Sequence, residues 1–166
     1  MTLAQIIGTV GGVGYLRPAS GTWGSLAALP LAWLVYVVGG VWLVVVLGAA
    51  LFAAGVWATA EMTRGSDNHD PSEVVMDEVV GQWIALMAIS YPSWSMGIDI
   101  TRLWPGWIAG FLLFRLFDIT KPGPIGWADR KLPGAAGVMM DDLLAGMAAA
   151  ALLALIIALI PAGIFL

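Results

Sequence analysis

The chain has 166 residues, 60% hydrophobic and only 11% charged, against roughly a quarter charged in an ordinary soluble domain. With a mean hydropathy of +0.91 it lacks the polar surface to cover a globule, so lipid must be part of its solvent, and the length leaves room for one domain over 1–166. A net charge of −4 with scattered basic residues argues against nucleic-acid binding, and the absence of cysteine excludes disulfides and thiolate chemistry.

The N-terminal segment lacks the basic start of a signal peptide. Gly8, Gly11, Gly12 and Gly14 interrupt its apolar run, so it reads as part of the mature protein. Residues 26–60 carry no charge and are too many for one perpendicular crossing, because about 20 residues span a hydrocarbon core. A turn at Gly39-Gly40 divides them into a helix over 26–38, short enough to be tilted or re-entrant, and one over 41–60. A helix over about 74–90 is expected to stop at Tyr91-Pro92. Another over about 105–117 carries Gly106 and Gly110 in the spacing that allows close helix contact. The last, over about 138–160, ends before Pro161. Residues 9–25, 61–73, 91–102 and 119–137 read as polar connections.

The apolar runs are long and continuous, without the alternation of barrel strands. The expected fold is all-α: a multi-pass membrane protein, a compact bundle of about 4–5 membrane helices with polar loops at the cytoplasmic face. If both 26–38 and 41–60 cross, Arg17, Arg64, Arg115, Lys121, Arg130 and Lys131 share one side and only Arg102 lies opposite. That asymmetry puts the basic side in the cytoplasm.

Ten of the eleven acidic residues fall within 61–78 and 118–142, on that same side. A lone Asp at the centre of a membrane helix costs about 2.5–3.5 kcal/mol, so these groups must sit near the interface, be paired, or hold a cation. Asp77, Glu78, Asp141 and Asp142 lie near expected helix starts, where the helix dipole alone is reason enough for an acid. Asp118 ends a helix, where the dipole favours a cation; Arg115, Lys121 or a magnesium ion are its candidate partners. Glu61 ends the second long helix within reach of the same region, while Asp67 and Glu73 read as loop-solvating residues. His69, the single histidine, reads as a solvated loop residue or a minor site component.

Gly21-Thr22-Trp23-Gly24-Ser25 opens a helix. Its backbone N–H groups suit an anion, and an ordinary N-cap by Thr22 or Ser25 explains the same residues. Thiolate phosphatases are excluded, and a single histidine cannot serve as both phosphohistidine nucleophile and separate acid. Zinc is disfavoured with one nitrogen ligand and no sulfur. Carboxylates with magnesium remain, and basic side chains to meet phosphate.

Several blocks then resemble a known family. Gly21 to Ala28, Met76-Asp77-Glu78 with Gly81, and Phe114-Arg115-Leu116-Phe117-Asp118 running into Lys121-Pro122-Gly123-Pro124-Ile125 are similar to the signature blocks of phosphatidylglycerophosphatase A. So are Trp127-Ala128-Asp129 and Gly137-Val138-Met139-Met140-Asp141-Asp142, in the family's order across most of residues 10–150. Met76 and Ser20 depart from the family's usual tryptophan and proline without removing a polar group.

The resemblance implies a magnesium-dependent phosphatase of the bacterial inner membrane. It would act on phosphatidylglycerophosphate in the bilayer and release phosphatidylglycerol and phosphate in phospholipid biosynthesis. On that footing Asp77, Glu78, Asp118, Asp141 and Asp142 are the expected metal ligands, and with Lys121 the catalytic set. Lys121, Arg115, Asp129 and the loop residues Gly21, Thr22, Gly24 and Ser25 are the expected phosphate-binding set, Asp129 acting as a further ligand or orienting Lys121 or Arg130. The rival readings are an ion- or proton-coupled transporter using the carboxylates, and a structural or assembly protein.

Overall fold

The structure, a computed structural model, describes residues 1–66, 68 and 70–159. Asp67, His69 and the expected helix end at 160–161 lie outside the described residues. Among those described there is no strand. The helices are α1 (Leu3–Gly8), α2 (Ser20–Met62), α3 (Met76–Met96), α4 (Trp104–Thr120), α5 (Pro124–Lys131) and α6 (Gly134–Leu159), with short 3-10 turns at Val13–Tyr15 and Ile100–Leu103.

The expected break at Gly39-Gly40 is real. Helical geometry fails at both residues, and Gly40 adopts φ 68°, which glycine takes without the clash a Cβ would bring. The kink folds α2 into a hairpin of two limbs. Gly8 packs on Met62 at the end of the second limb, Gly24 in the first packs on Val75, and the Gly8 carbonyl accepts from the Val75 amide, so both limb ends meet beside the start of α3.

Four boundaries differ from expectation, each for a local reason. The first limb begins at Ser20, not 26, because residues 21–25 are helical: the Ser25 hydroxyl donates to the Gly21 carbonyl four residues back. That limb reaches about 28 Å at 1.5 Å per residue, enough for a crossing. Pro92 does not stop α3, which runs on to Gly97 in the left-handed conformation; the Gly97 and Ile98 amides close it on the Ser93 carbonyl. Residues 124–131, expected as loop, form α5, opened by Pro124 at a first-turn position and closed by Arg130 and Lys131. Finally, α6 starts at Gly134, so Asp141 and Asp142 lie about two turns inside it and not at its start.

The most buried helix is α3, whose Val79, Val80, Trp83, Leu86 and Ile89 form the core with residues of α2 and α6. Trp83 satisfies its indole N–H on the Ala28 carbonyl at 3.0 Å. Glycines set the spacing around it. A Cβ on Gly146 would strike the Gly81 backbone, one on Gly81 would strike the Phe114 ring and the Asp142 carbonyl, and one on Gly106 would lie 2.6 Å from Ile89. The Gly106/Gly110 spacing thus does bring α4 close, against α3.

The outside is apolar. Leu34, Val38, Val46, Leu112 and Leu155 all point outward. Helices α2 and α6 are long and apolar enough to cross a membrane, and only 11% and 28% of their most apolar stretches are buried inside the protein, unlike the core helix of a soluble globule. Exposed Trp42 and Trp94 meet edge to face at one end of the bundle, while Trp23, Trp57 and Trp127 are exposed toward the other. Such residues mark membrane interfaces. From Asp77 to Trp94 along α3 is about 26 Å, close to the thickness of a hydrocarbon core. The chain is a membrane protein.

Candidate functional site

The acidic first turn of α3, the last turn of α4 and the acidic third turn of α6, closed over by α5, surround a cleft of about 300 Å³. Among the described residues seven carboxyls line it (Asp70, Asp77, Glu78, Asp118, Asp129, Asp141 and Asp142) with a single ammonium, Lys121. Asp77, Asp118, Asp141 and Asp142 are each less than a tenth exposed. Carboxylate oxygens of Asp77, Glu78 and Asp142 lie within 4.8 Å of one another.

Three carboxylate oxygens, Asp77 Oδ1, Glu78 Oε2 and Asp141 Oδ1, are buried with no hydrogen-bond donor among the described residues. Buried acceptors of this kind are costly, and adjacent carboxylates repel one another; Asp77, Glu78 and Asp142 could hold a metal ion between them. An all-oxygen donor set with room for water suits magnesium better than zinc. The helix dipole accounts for Asp77 and Glu78, which do stand in the first turn of α3. It does not account for Asp141 and Asp142, contrary to their expected position.

Asp118 and Asp142 approach each other from α4 and α6, and Asp118 is ion-paired with Arg115, as its place at a helix end suggested. Lys121 takes other partners. It caps α4 with φ 44° and directs its Nζ to Asp129 Oδ1 at 2.5 Å and Asp141 Oδ2 at 2.6 Å. Burial works against the ammonium, but the hydrogen bonds to Asp129 and Asp141 more than offset it, so its pKa lies above the ordinary lysine value. Asp129 is therefore a direct ion-pair partner of Lys121. It is α5, folded back so that Gly126 abuts the Lys121 carbonyl, that brings Asp129 there.

Residues 21–25, expected as a loop opening a helix, lie within the helix. Gly21, Thr22, Gly24 and Ser25 are all helical, and the N-cap is Ala19, not Thr22 or Ser25. The Thr22 amide donates to the Ala19 carbonyl, Gly24 packs under Val75, and Ser25 Oγ donates to Gly21 while accepting weakly from Arg115 at 3.4 Å. Only Gly21, facing Glu78 Oε1 and Arg115, touches the acidic cluster closely. Glu61 is also placed elsewhere: it pairs with Arg64 at 2.6 Å and borders a separate recess with Glu73 and Trp57. Ser20, Asp70 and Ser72 line the cleft without having been singled out. Ser20 donates to the Ser72 carbonyl, a long-range bond with no sequence signature.

An all-helical membrane protein with a buried polycarboxylate cleft at one end of its bundle is the class that fold and site define. The phosphatidylglycerophosphatase A profile matches residues 6–157, and the chain belongs to that family. Phosphatidylglycerophosphatase A of Escherichia coli (strain K12) is 38% identical over 141 residues, covering 80% of this chain and 71% of the relative. The Haemophilus influenzae protein of the same name is 39% identical over 137 residues, 82% of this chain and 77% of its own. A Bacteroides thetaiotaomicron protein, provisionally named a phosphatidylinositol-3-phosphatase, is 38% identical over 149 residues, 87% of each chain. No solved structure matches. The chain is accordingly a phosphatase, and the transporter reading finds no support in these relatives.

Proposed function

We propose that this chain is a magnesium-dependent lipid phosphatase that hydrolyses phosphatidylglycerophosphate to phosphatidylglycerol and phosphate at the cytoplasmic face of a bacterial inner membrane. On this reading the chain crosses five times, by both limbs of α2, then α3, α4 and α6, of which α2 and α6 are long and apolar enough to span by composition. The observation that carries the reading is the charge balance of the cleft. With seven carboxyls against one ammonium among the described lining residues, and only Arg115 beside Asp118 to add a second cation within the cluster, a phosphate monoester is repelled unless a divalent cation enters with it.

Asp77, Glu78 and Asp142 are the residues that would hold this cation, with Asp118 and Asp141 at its edge. When bound, magnesium supplies charge neutralisation and polarisation of a phosphoryl oxygen. The chain's own residues do the rest. Lys121, fixed between Asp129 and Asp141, presents an ammonium to the phosphate, and Arg115, held by Asp118 and Ser25, backs the cluster. Ser20 and Gly21, at the start of α2, have N–H groups beyond the reach of the helix's own carbonyls; Ser20 lines the cleft and Gly21 abuts Glu78. The lipid's acyl chains stay in the bilayer while its headgroup reaches a cleft at the interface.

The test is phosphate release from phosphatidylglycerophosphate by the purified protein in detergent, with magnesium and with a chelator. Release that depends on magnesium and collapses in Asp118→Asn is expected. Full release in the chelator, or from Asp118→Asn, defeats the assignment.

A further inference from the structure

Phosphatidylglycerophosphate carries phosphate at both ends of its headgroup glycerol: the monoester that is hydrolysed, and the phosphodiester that joins the headgroup to the lipid. The cations within the acidic cluster are already committed, Lys121 to Asp129 and Asp141, and Arg115 to Asp118. Together with a cation on Asp77, Glu78 and Asp142 they serve the monoester. The diester, charged at every ordinary pH, needs a cation outside that set.

Arg17 stands at the rim of the cleft, just before α2. Its Nη2 donates to Ser72 Oγ at 3.2 Å, and Ser72 lines the cleft with Ser20, whose hydroxyl donates to the Ser72 carbonyl. Tyr15 and Leu16, immediately before Arg17, and Trp23, in the first turn of α2, are exposed. Aromatic residues so exposed put this rim at the level of lipid headgroups. That is where a phosphodiester sits when the acyl chains of its lipid stay in the bilayer. Arg17 is itself exposed, and among the described residues it has no carboxylate within ion-pair reach. Arg130 and Lys131 close α5, but no hydrogen bond among the described residues ties either side chain to the lining of the cleft.

We propose that Arg17 is a specificity-determining residue: its guanidinium binds the phosphodiester of the lipid while the monoester occupies the cleft. A guanidinium presents a fork of N–H donors suited to phosphate oxygens, and the bond to Ser72 engages only part of it. Ser72 Oγ accepts from Arg17 and keeps its own proton to donate. The site thereby favours a lipid with a second phosphate over one that carries a monoester alone. The inference rests on reading the cleft as the phosphatase site, and it adds the group that recognises the rest of the headgroup.

The experiment compares the wild type with Arg17→Gln, Arg17→Lys and Arg64→Gln, each purified in neutral detergent. Arg64 is exposed and paired with Glu61 away from the cleft, so its loss reports on surface charge in general. The readouts are Tm, kcat and KM for phosphatidylglycerophosphate, and the inhibition constants of phosphatidylglycerol, which carries only the diester, and of inorganic phosphate. Arg17→Gln is expected to leave Tm and kcat unchanged. It should raise KM and the phosphatidylglycerol constant together, by about fivefold, without moving the constant for inorganic phosphate. Arg17→Lys should recover part of the loss, and Arg64→Gln should match the wild type. An unchanged KM in Arg17→Gln, an equal rise for inorganic phosphate, or an equal rise in Arg64→Gln overturns the proposal and leaves Arg17 an interfacial anchor. If the wild type releases no phosphate, the functional reading fails by itself. Thermal shift by phosphatidylglycerol, in the wild type and in Arg17→Gln, then still decides whether Arg17 holds a diester.

Discussion

Asp77 in α3 and Asp142 in α6, far apart in the chain, bring carboxylate oxygens within 4.8 Å of each other, with Glu78 completing the group. Two acids forced together by helix packing give up solvation and repel one another. The helix contact that imposes this is the Gly81–Gly146 approach directly beneath.

Asp77→Asn and Asp142→Asn should each lower phosphate release by about 100-fold, as loss of a metal ligand or its immediate support does. Without magnesium, each variant should unfold at the same or a higher temperature than the wild type, because one like charge has left a buried cluster. Activity within a few-fold of wild type in both variants would remove them from the site.

Lys121→Met should cost both function and stability, because Asp129 and Asp141 lose their shared cation. Partial exposure keeps the stability loss to about 1–3 kcal/mol, below that of a fully buried pair. The pH dependence follows from the sign of the shift. A folded-state pKa raised above the ordinary value means that the Lys121 contribution is complete below about pH 10 and disappears only as pH climbs through the folded value. Thermal unfolding of wild type and Lys121→Met between pH 7 and 9.5 should therefore keep a constant difference; a gap that closes across that range contradicts the geometry.

Glycine substitutions should separate rigid from forgiving contacts. A Cβ on Gly146 meets the Gly81 backbone, which cannot step aside, so Gly146→Ala should destabilise by about 1–3 kcal/mol and reduce activity by parting α3 from α6. A Cβ on Gly55 meets only the side chains of Met139 and Met76, which are flexible enough to shift. Denaturation of the two variants side by side checks the order, and equal losses would show that the α3–α6 contact is no tighter than the other.

The lack of cysteine makes topology directly measurable. With five crossings, Ser66→Cys and Lys131→Cys should react with a membrane-impermeant thiol reagent only from the cytoplasmic side, and Ser95→Cys only from the other. All three positions are exposed. Labelling of Ser66→Cys and Ser95→Cys from the same side would mean that α3 does not cross.

What the sequence by itself determined is the solvent, the helical class, the Gly39-Gly40 turn and the clustering of acids at one end. These follow from composition and from chemistry local to a few residues: a charge-poor chain cannot face water all round, and only glycine turns freely at a positive φ. Tertiary structure alone decided which acids meet. The start of α6 at Gly134 moved Asp141 and Asp142 from a dipole-favoured helix start into a buried interior. The unforeseen α5 carried Asp129 to Lys121, while Glu61 was drawn to another recess. The Gly21–Ser25 stretch turned out to be helix because its hydroxyl chemistry serves an i−4 bond as readily as a cap. The acidic cluster was visible at the start as a matter of location. Its arrangement depended on where helices begin and how closely their backbones approach, and both are set by packing between distant segments.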